Sequence, residues 1–315
     1  MIQLPQVRPT RNRPSPRAAL ALAALTLPML LSMLSMTGCS SWFISKRKLP
    51  IPVAPPSVQT ATADELAARL NDQWAKFQSL TATVDIRASH LKAKEGVATD
   101  YPTFHANLLL RKPNMLRILG HVPVIQTKMF DLASDGARFT LVIPPRNIYF
   151  QDLNARKGNS PNWYENLRPG PLFDAMVVRG LDKEDLYGVI TQTVTVEDPA
   201  HKRLLAEPEY VLNIQRLKPN SQELYPVRVI HIHRDDLLPY EEDLYDDKGG
   251  LETQVIYGPY KDFGGAKYPS TITLNRPQEE YQLIMTVDSL NSNPPLTDDQ
   301  FHEDIPEGYK KQELK

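Results

Sequence analysis

Cysteine is almost missing from this chain: Cys39 is the single thiol among 315 residues. One thiol makes no internal disulfide and cannot assemble a thiolate metal cluster. Excess charge of either sign is missing too, with 36 basic residues against 37 acidic ones and a formal net charge of -1. Arg8, Arg11, Arg13 and Arg17 precede Cys39 with no acid among them, so removing that segment takes the net charge to -5. A mildly acidic remainder does not attract DNA or RNA electrostatically. Catalytic signatures are also lacking. There is no Gly-x-Ser-x-Gly elbow, no Walker loop and no dinucleotide glycine pattern, and Asp262-Phe263-Gly264 spells a kinase tripeptide without the glycine-rich loop that would accompany it. That tripeptide reads as a turn. No acid-base or nucleophile constellation emerges, so the sequence predicts a protein that is not an enzyme and needs no cofactor, with an envelope hydrolase as a remote third reading.

What is present begins at the amino terminus. Four arginines are followed by the apolar run Ala18 to Leu34, which contains Pro28 and ends in small residues. This is the plan of a secretory signal, and the run is shorter than the roughly 20 apolar residues of a membrane-spanning helix. Met36-Thr37-Gly38-Cys39 resembles the lipobox of bacterial lipoproteins, with Met36 in place of the usual leucine. The resemblance implies cleavage after residue 38 and lipidation of Cys39. Two or three acyl tails make a stable anchor where one binds only marginally. By the sorting rule of two-membrane bacteria, Ser40 rather than aspartate after the cysteine implies the periplasmic face of the outer membrane over the inner membrane.

Residues 39–61 read as the lipidated cysteine and a proline-rich spacer of polyproline type, carrying Pro50, Pro52, Pro55 and Pro56. Trp42, Phe43 and Ile44 fit an interfacial anchor, with Lys46, Arg47 and Lys48 near headgroups, and a plain linker fits equally well. Residues 62–315 read as one domain. Thr62-Ala63-Asp64-Glu65 is a capping box opening a helix with Leu66, Leu70, Trp74 and Phe77 at helical spacing. The period then switches to two. Ala82, Val84, Ile86 and Ala88 alternate with polar partners, and about eleven strands follow to Leu290, separated by turns such as Lys112-Pro113-Asn114 and Ser134-Asp135-Gly136. A second helix is predicted around Pro171 to Val178, ending near Gly180. One or two helices among so many strands exclude a doubly wound parallel sheet. The expected fold is mainly β (α+β), a curved antiparallel half-barrel covered by one or two helices.

Two clusters suggest metal chemistry. His231 and His233 share one strand face and could ligate an ion, but no third ligand stands at a fixed spacing, so polar residues of an exposed face are the simpler reading and no metal is predicted. Glu241-Glu242-Asp243 with Asp246-Asp247 lacks the order of a calcium loop and reads as a solvated loop.

Three motifs together resemble the outer-membrane lipoprotein-sorting family, the LolA and LolB-like carrier and receptor. They are Leu109-Leu110-Arg111-Lys112-Pro113-Asn114-Met115-Leu116-Arg117-Ile118, the hairpin Ser134-Asp135-Gly136 through Pro144, and the closing Phe301 with Ile305-Pro306-Glu307-Gly308. The resemblance implies an incomplete barrel whose cavity holds acyl chains beneath a lid, here Pro171 to Val178. On that plan Val84, Ile86, Leu108, Leu110, Ile118, Leu141, Ile143, Leu172 and Met176 are the candidate ligand-binding residues. The carrier's latch arginine corresponds to Lys112, which lacks a planar fork of donors, so Arg111 and Arg117 join it as latch candidates. Extra sequence relative to the carrier lies around Asp152 to Pro161 and Pro239 to Lys248. Two functions remain open. One is an anchored module that binds a lipid or a lipoprotein's acyl chains in lipoprotein localisation; the other is an assembly lipoprotein with a filled core that docks an envelope protein partner.

Overall fold

The computed structural model describes residues 49–55, 57–92, 95–122, 127–156, 163–198 and 200–314. The apolar run, Cys39 and the 42–48 anchor segment lie outside the described residues. No helix among the described residues is long and apolar enough to cross a membrane.

Thr62 starts the first helix, α1 (Ala63–Lys76), through the capping box: its hydroxyl accepts the Glu65 N–H at 3.2 Å and the Glu65 carboxylate accepts the Thr62 N–H at 2.7 Å. Such a cap is worth about 1 kcal/mol. Leu66, Ala67 and Leu70 are buried on one face of α1. The second helix, α2 (Pro169–Met176), begins on a proline whose fixed φ suits the first turn, and it ends at Val177, which is extended.

The strands are β1 (Ser79–Lys92), β2 (Val97–Asp100), β3 (Phe104–Arg111), β4 (Met115–His121), β5 (Lys128–Ser134), β6 (Arg138–Ile143), β7 (Ile148–Leu153), β8 (Leu186–Asp198), β9 (Arg203–Leu217), β10 (Leu224–His233), β11 (Pro239–Tyr245), β12 (Leu251–Tyr257), β13 (Tyr260–Phe263), β14 (Ala266–Pro269), β15 (Thr271–Arg276), β16 (Tyr281–Ser292) and β17 (Lys310–Gln312). Fifteen form one curved sheet that does not close into a barrel. Strand β1 lies at its middle. On one side β3 to β7 follow in chain order; on the other, β16 and β15 lead to β12, β11, β10, β9 and finally β8. All pairings in this sheet's main path are antiparallel except that of β17, which runs parallel to β7. β13 and β14 form a separate hairpin.

The predicted mainly β architecture with two helices is therefore present, but the count of about eleven strands is too low. Six short or unusual strands escaped it: β2, β7, β11, β13, β14 and β17. The main error concerns the acidic run. Glu241-Glu242-Asp243 is not a solvated loop but the middle of β11, with Glu242 turned inward and 2% exposed. Its charge is held by Arg228 on the neighbouring β10, at 2.7 Å. The proline-rich spacer also departs from expectation, because Val53 bridges to β9: its N–H donates to Leu204 O and its carbonyl accepts the Ala206 N–H, both at 2.8 Å.

Alternation explains the core. Every second residue of the strands faces the concave side, where Val84, Ile86, Leu108, Leu110, Leu116, Ile272, Leu274 and Leu283 pack with Leu172, Phe173, Ala175 and Met176 of α2. A second cluster forms where Leu66 and Leu70 of α1 cover Leu212, Ile214, Ile230 and Ile232 of β9 and β10. Each helix thus closes a different stretch of the same face.

Candidate ligand-binding cavity

Between α2 and the concave face lies a cavity of about 600 Å³. Its wall comes from the inward positions of the central strands: Ile86 and Ala88 on β1, Ile118 on β4, Leu132 on β5, Leu141 and Ile143 on β6, and Leu283 and Met285 on β16. Leu172 of α2 forms the cover. The rim is built from exposed Tyr101, Pro102, Thr103, Pro145 and Arg146. The lining contains no carboxylate, histidine, serine or cysteine among the described residues, so it presents no nucleophile with a base beside it. Arg146 is the one cation of the rim among them.

Phe104 and Phe130 shape one side of the cavity, meeting edge to face with ring centroids 5.3 Å apart. Gly120 makes room for this pair. It is the cross-strand partner of Phe130, and a Cβ at that position would stand 2.3 Å from the Phe130 ring. Here the glycine is needed for a close approach, not for its backbone freedom.

The cover is tied down at its carboxyl end. The Tyr268 hydroxyl, from the β13–β14 hairpin, donates to Met176 O at 2.6 Å. Arg228 donates to Arg179 O at 3.0 Å and Gly180 O at 3.1 Å while also holding Glu242. Arg179 bonds Asp174 on α2 and reaches Asn114 Oδ1 at 2.5 Å, its guanidinium 5.1 Å from the Phe173 ring centre. Burial pushes the Glu242 and Asp174 carboxyls above their ordinary range despite Arg228 and Arg179. It also raises the Tyr268 hydroxyl.

Of the nine apolar residues named from the sequence, Ile86, Ile118, Leu141, Ile143 and Leu172 line the cavity. Val84, Leu108, Leu110 and Met176 belong to the packed core next to it. The three latch candidates point elsewhere than α2. Arg111 bonds Leu296 O at 2.7 Å and also Asp298, and its guanidinium lies 5.2 Å from the Phe301 ring centre. Lys112 bonds Trp74 O at the end of α1 and sits over the Trp74 ring. Arg117 grips Asp131 at 2.8 Å and the carbonyls of Gln300 and His302 at 3.1 and 3.0 Å, with Glu303 alongside. Arg111 and Arg117 therefore fasten the carboxyl-terminal segment to the sheet. Arg179, Arg228 and Tyr268, which do hold α2, were not singled out, and neither were Phe104, Phe130 and Met285. Phe104 and Met285 follow strand alternation and are legible as inward; Arg228 and Tyr268 come from strands remote in sequence with no local signal to mark them, whereas Arg179, three residues past α2, is five residues from its partner Asp174.

A family model described only as an uncharacterized protein matches residues 183–305. No curated protein matches the chain. Among solved structures the chain is similar to a LolA superfamily protein from Nitrosomonas europaea, 13% identical, covering 78% of this chain and 99% of that one with a TM-score of 0.46. A domain described as an outer membrane lipoprotein-sorting protein, from Vibrio parahaemolyticus, is 15% identical over 76% of this chain and 94% of its own, with a TM-score of 0.43. A DUF1329 family protein from Desulfovibrio piger is 15% identical over 76% and 95%, with a TM-score of 0.42. These are likenesses of fold.

Proposed function

We propose that this protein is an envelope lipoprotein, tethered by lipid on Cys39, that holds an acyl chain of a lipid or lipoprotein in the cavity beneath α2. The observation that carries this reading is the cavity itself: about 600 Å³, walled by aliphatic and aromatic side chains and bordered by an exposed, partly polar rim. That volume falls inside the roughly 300–1,000 Å³ range of small-ligand sites. Each methylene moved from water into such a wall gains about 0.8 kcal/mol. The rim suits the other end of an amphiphile, since Thr103, Tyr101 and Arg146 bring polar groups to the border of an apolar wall. An apolar volume of this size that the chain's own side chains leave unfilled favours a binding module over a pure docking protein with a filled core. The resemblance of Met36 to Cys39 to a lipobox supports the anchor, and Ser40 after the cysteine supports an outer-membrane address facing the periplasm.

The test is native mass spectrometry with lipid extraction on the chain beginning at Ser40, recovered from a bacterial periplasm, beside an Ile143→Trp variant that fills the rim side of the cavity. Acyl lipid on the native chain, and its loss from a variant with an unchanged near-ultraviolet spectrum, is the expected result. A ligand-free chain that also takes up no added phospholipid or lipoprotein ends the reading in favour of a docking protein.

A further inference from the structure

The outer face of the sheet at β9, β10 and β11 gathers side chains that the cavity does not use. In the β10–β11 register His231 stands opposite Glu241 and Val229 opposite Asp243, so His231, Glu241 and Asp243 project from one face while Ile230, Ile232 and Glu242 fill the other. Each of the three offers a ligand atom, and these atoms lie within 4.8 Å of one another.

Glu209 of β9 fixes the histidine. It is 1% exposed and receives His231 Nδ1 at 3.0 Å, Gln192 Nε2 at 2.6 Å and the Tyr240 hydroxyl. A carboxylate surrounded by donors can only accept, so Nδ1 carries a proton toward Glu209 and Nε2 is the nitrogen left to face a ligand. This is the carboxylate–histidine arrangement that orients metal-bound imidazoles in proteins. The Tyr240 ring, stacked on His233 with centroids 4.1 Å apart, walls the site on one side. Around His231 the acceptors then outnumber the donors. Gln254 Nε2 donates to Glu241 Oε1 at 2.8 Å, and the Tyr245 hydroxyl reaches Asp243 Oδ2 at 3.5 Å. Asp243 Oδ1 is fully buried with no hydrogen-bond partner among the described residues. No lysine or arginine among them pairs with Glu241 or Asp243.

A ring nitrogen and two carboxylates face one another with only neutral donors beside them, and Asp243 Oδ1 has none among the described residues. We propose that His231, Glu241 and Asp243 bind a divalent first-row transition ion, with Glu209 as the positioning residue for His231. One imidazole and two carboxylates match Zn²⁺ and its neighbours, which take nitrogen and oxygen ligands at about 2.0–2.2 Å and leave further positions to water. Calcium, which requires six to eight oxygens, does not fit three ligands of this kind. The ion would clip β10 to β11 on the face opposite the cavity.

The experiment is Zn²⁺ binding to the full chain in detergent, read by calorimetry and by metal analysis after gel filtration. The background carries C39A and H105A, which remove the free thiol and the more exposed Asp85–His105–Asp288 group. The background should bind Zn²⁺ in the presence of excess Ca²⁺, and H231Q and the outward-facing, near-isosteric pair E241Q/D243N should each lose one equivalent with an unchanged near-ultraviolet spectrum. E209Q should keep the equivalent but weaken its binding by about 10- to 100-fold. Equal Zn²⁺ on the background and on E241Q/D243N, or none on the background, overturns the site. Unchanged affinity in E209Q overturns the role given to Glu209.

Discussion

Replacing Arg228 by methionine probes the polar inner layer that holds the cover of the cavity. Arg228 is 7% exposed and donates to Glu242, which is 2% exposed, and to the carbonyls of Arg179 and Gly180 that follow α2. Arg228→Met keeps the volume but strands a buried carboxylate with only the Tyr257 hydroxyl, at 3.1 Å. Breaking a buried pair in this way costs about 3–5 kcal/mol. The double variant Arg228→Met/Glu242→Gln removes the stranded charge and leaves mainly the two carbonyls without their donor, about 1–3 kcal/mol each, a cost that the single variant bears as well. The two variants therefore separate charge from hydrogen bonding. They also differ in pH response. Burial raises the folded-state pKa of Glu242 above its ordinary value of 4.5, and losing Arg228 raises it further. A folded state that binds the extra proton gains stability as pH falls through that raised value, down to the unfolded value, and loses stability as pH rises through it. Arg228→Met should thus recover part of its deficit between neutral pH and about pH 5, and the double variant should not. Urea midpoints at several pH values measure both effects. Equal destabilisation of the two variants at every pH would refute the assignment of the cost to the Glu242 charge.

Three further outcomes follow from the geometry. Gly120→Ala pushes the Phe130 ring toward the cavity, so uptake of a fluorescent long-chain fatty acid should fall while the secondary structure is kept; unchanged uptake would mean that this wall does not touch the ligand. Phe301→Ala, removing a ring 2% exposed beneath Arg111, should cost about 3–5 kcal/mol by urea unfolding and loosen the carboxyl-terminal segment to proteolysis. Burial pushes the Asp131 carboxyl up, but the bonds from Arg117 and Lys128 more than offset it and hold it below its ordinary 3.8. The stability this pair confers is present above that value and lost as pH falls through the lowered one, so Asp131→Asn should be less stable at neutral pH and should lose less between about pH 5 and pH 2.

The strands legible in the sequence are those in which apolar and polar residues alternate, such as Thr81 to Ala88 and Phe104 to Leu110, and each of the eleven expected strands has a counterpart. β11 escapes detection in the sequence because three consecutive acids look like a solvent-loving loop. In fact Glu241 and Asp243 point outward and Glu242 inward, and the inward charge is tolerable only beside Arg228, which is distant in sequence. The lining of the cavity was legible only as an inward face. Leu110 and Ile118 sit in the same alternation, yet one is packed core and the other is wall; the difference is where α2 crosses the sheet, which strand periodicity does not encode. That Glu241, Asp243 and Glu209 gather around His231 is hidden for the same reason, since cross-strand register assembles them.

The fifteen-stranded sheet ends at β8 on one side and at β17 on the other, and among the described residues these two edges share no hydrogen bonds. A closed barrel with a given number of strands and stagger has a set diameter, and widening it breaks rungs of its ladder. An open ribbon of strands is free of that constraint. Its curvature can relax by small changes of twist spread over many strand pairs, each keeping its backbone bonds, so the girth of the space under α2 is set by where the helices rest and not by the closure of a ring.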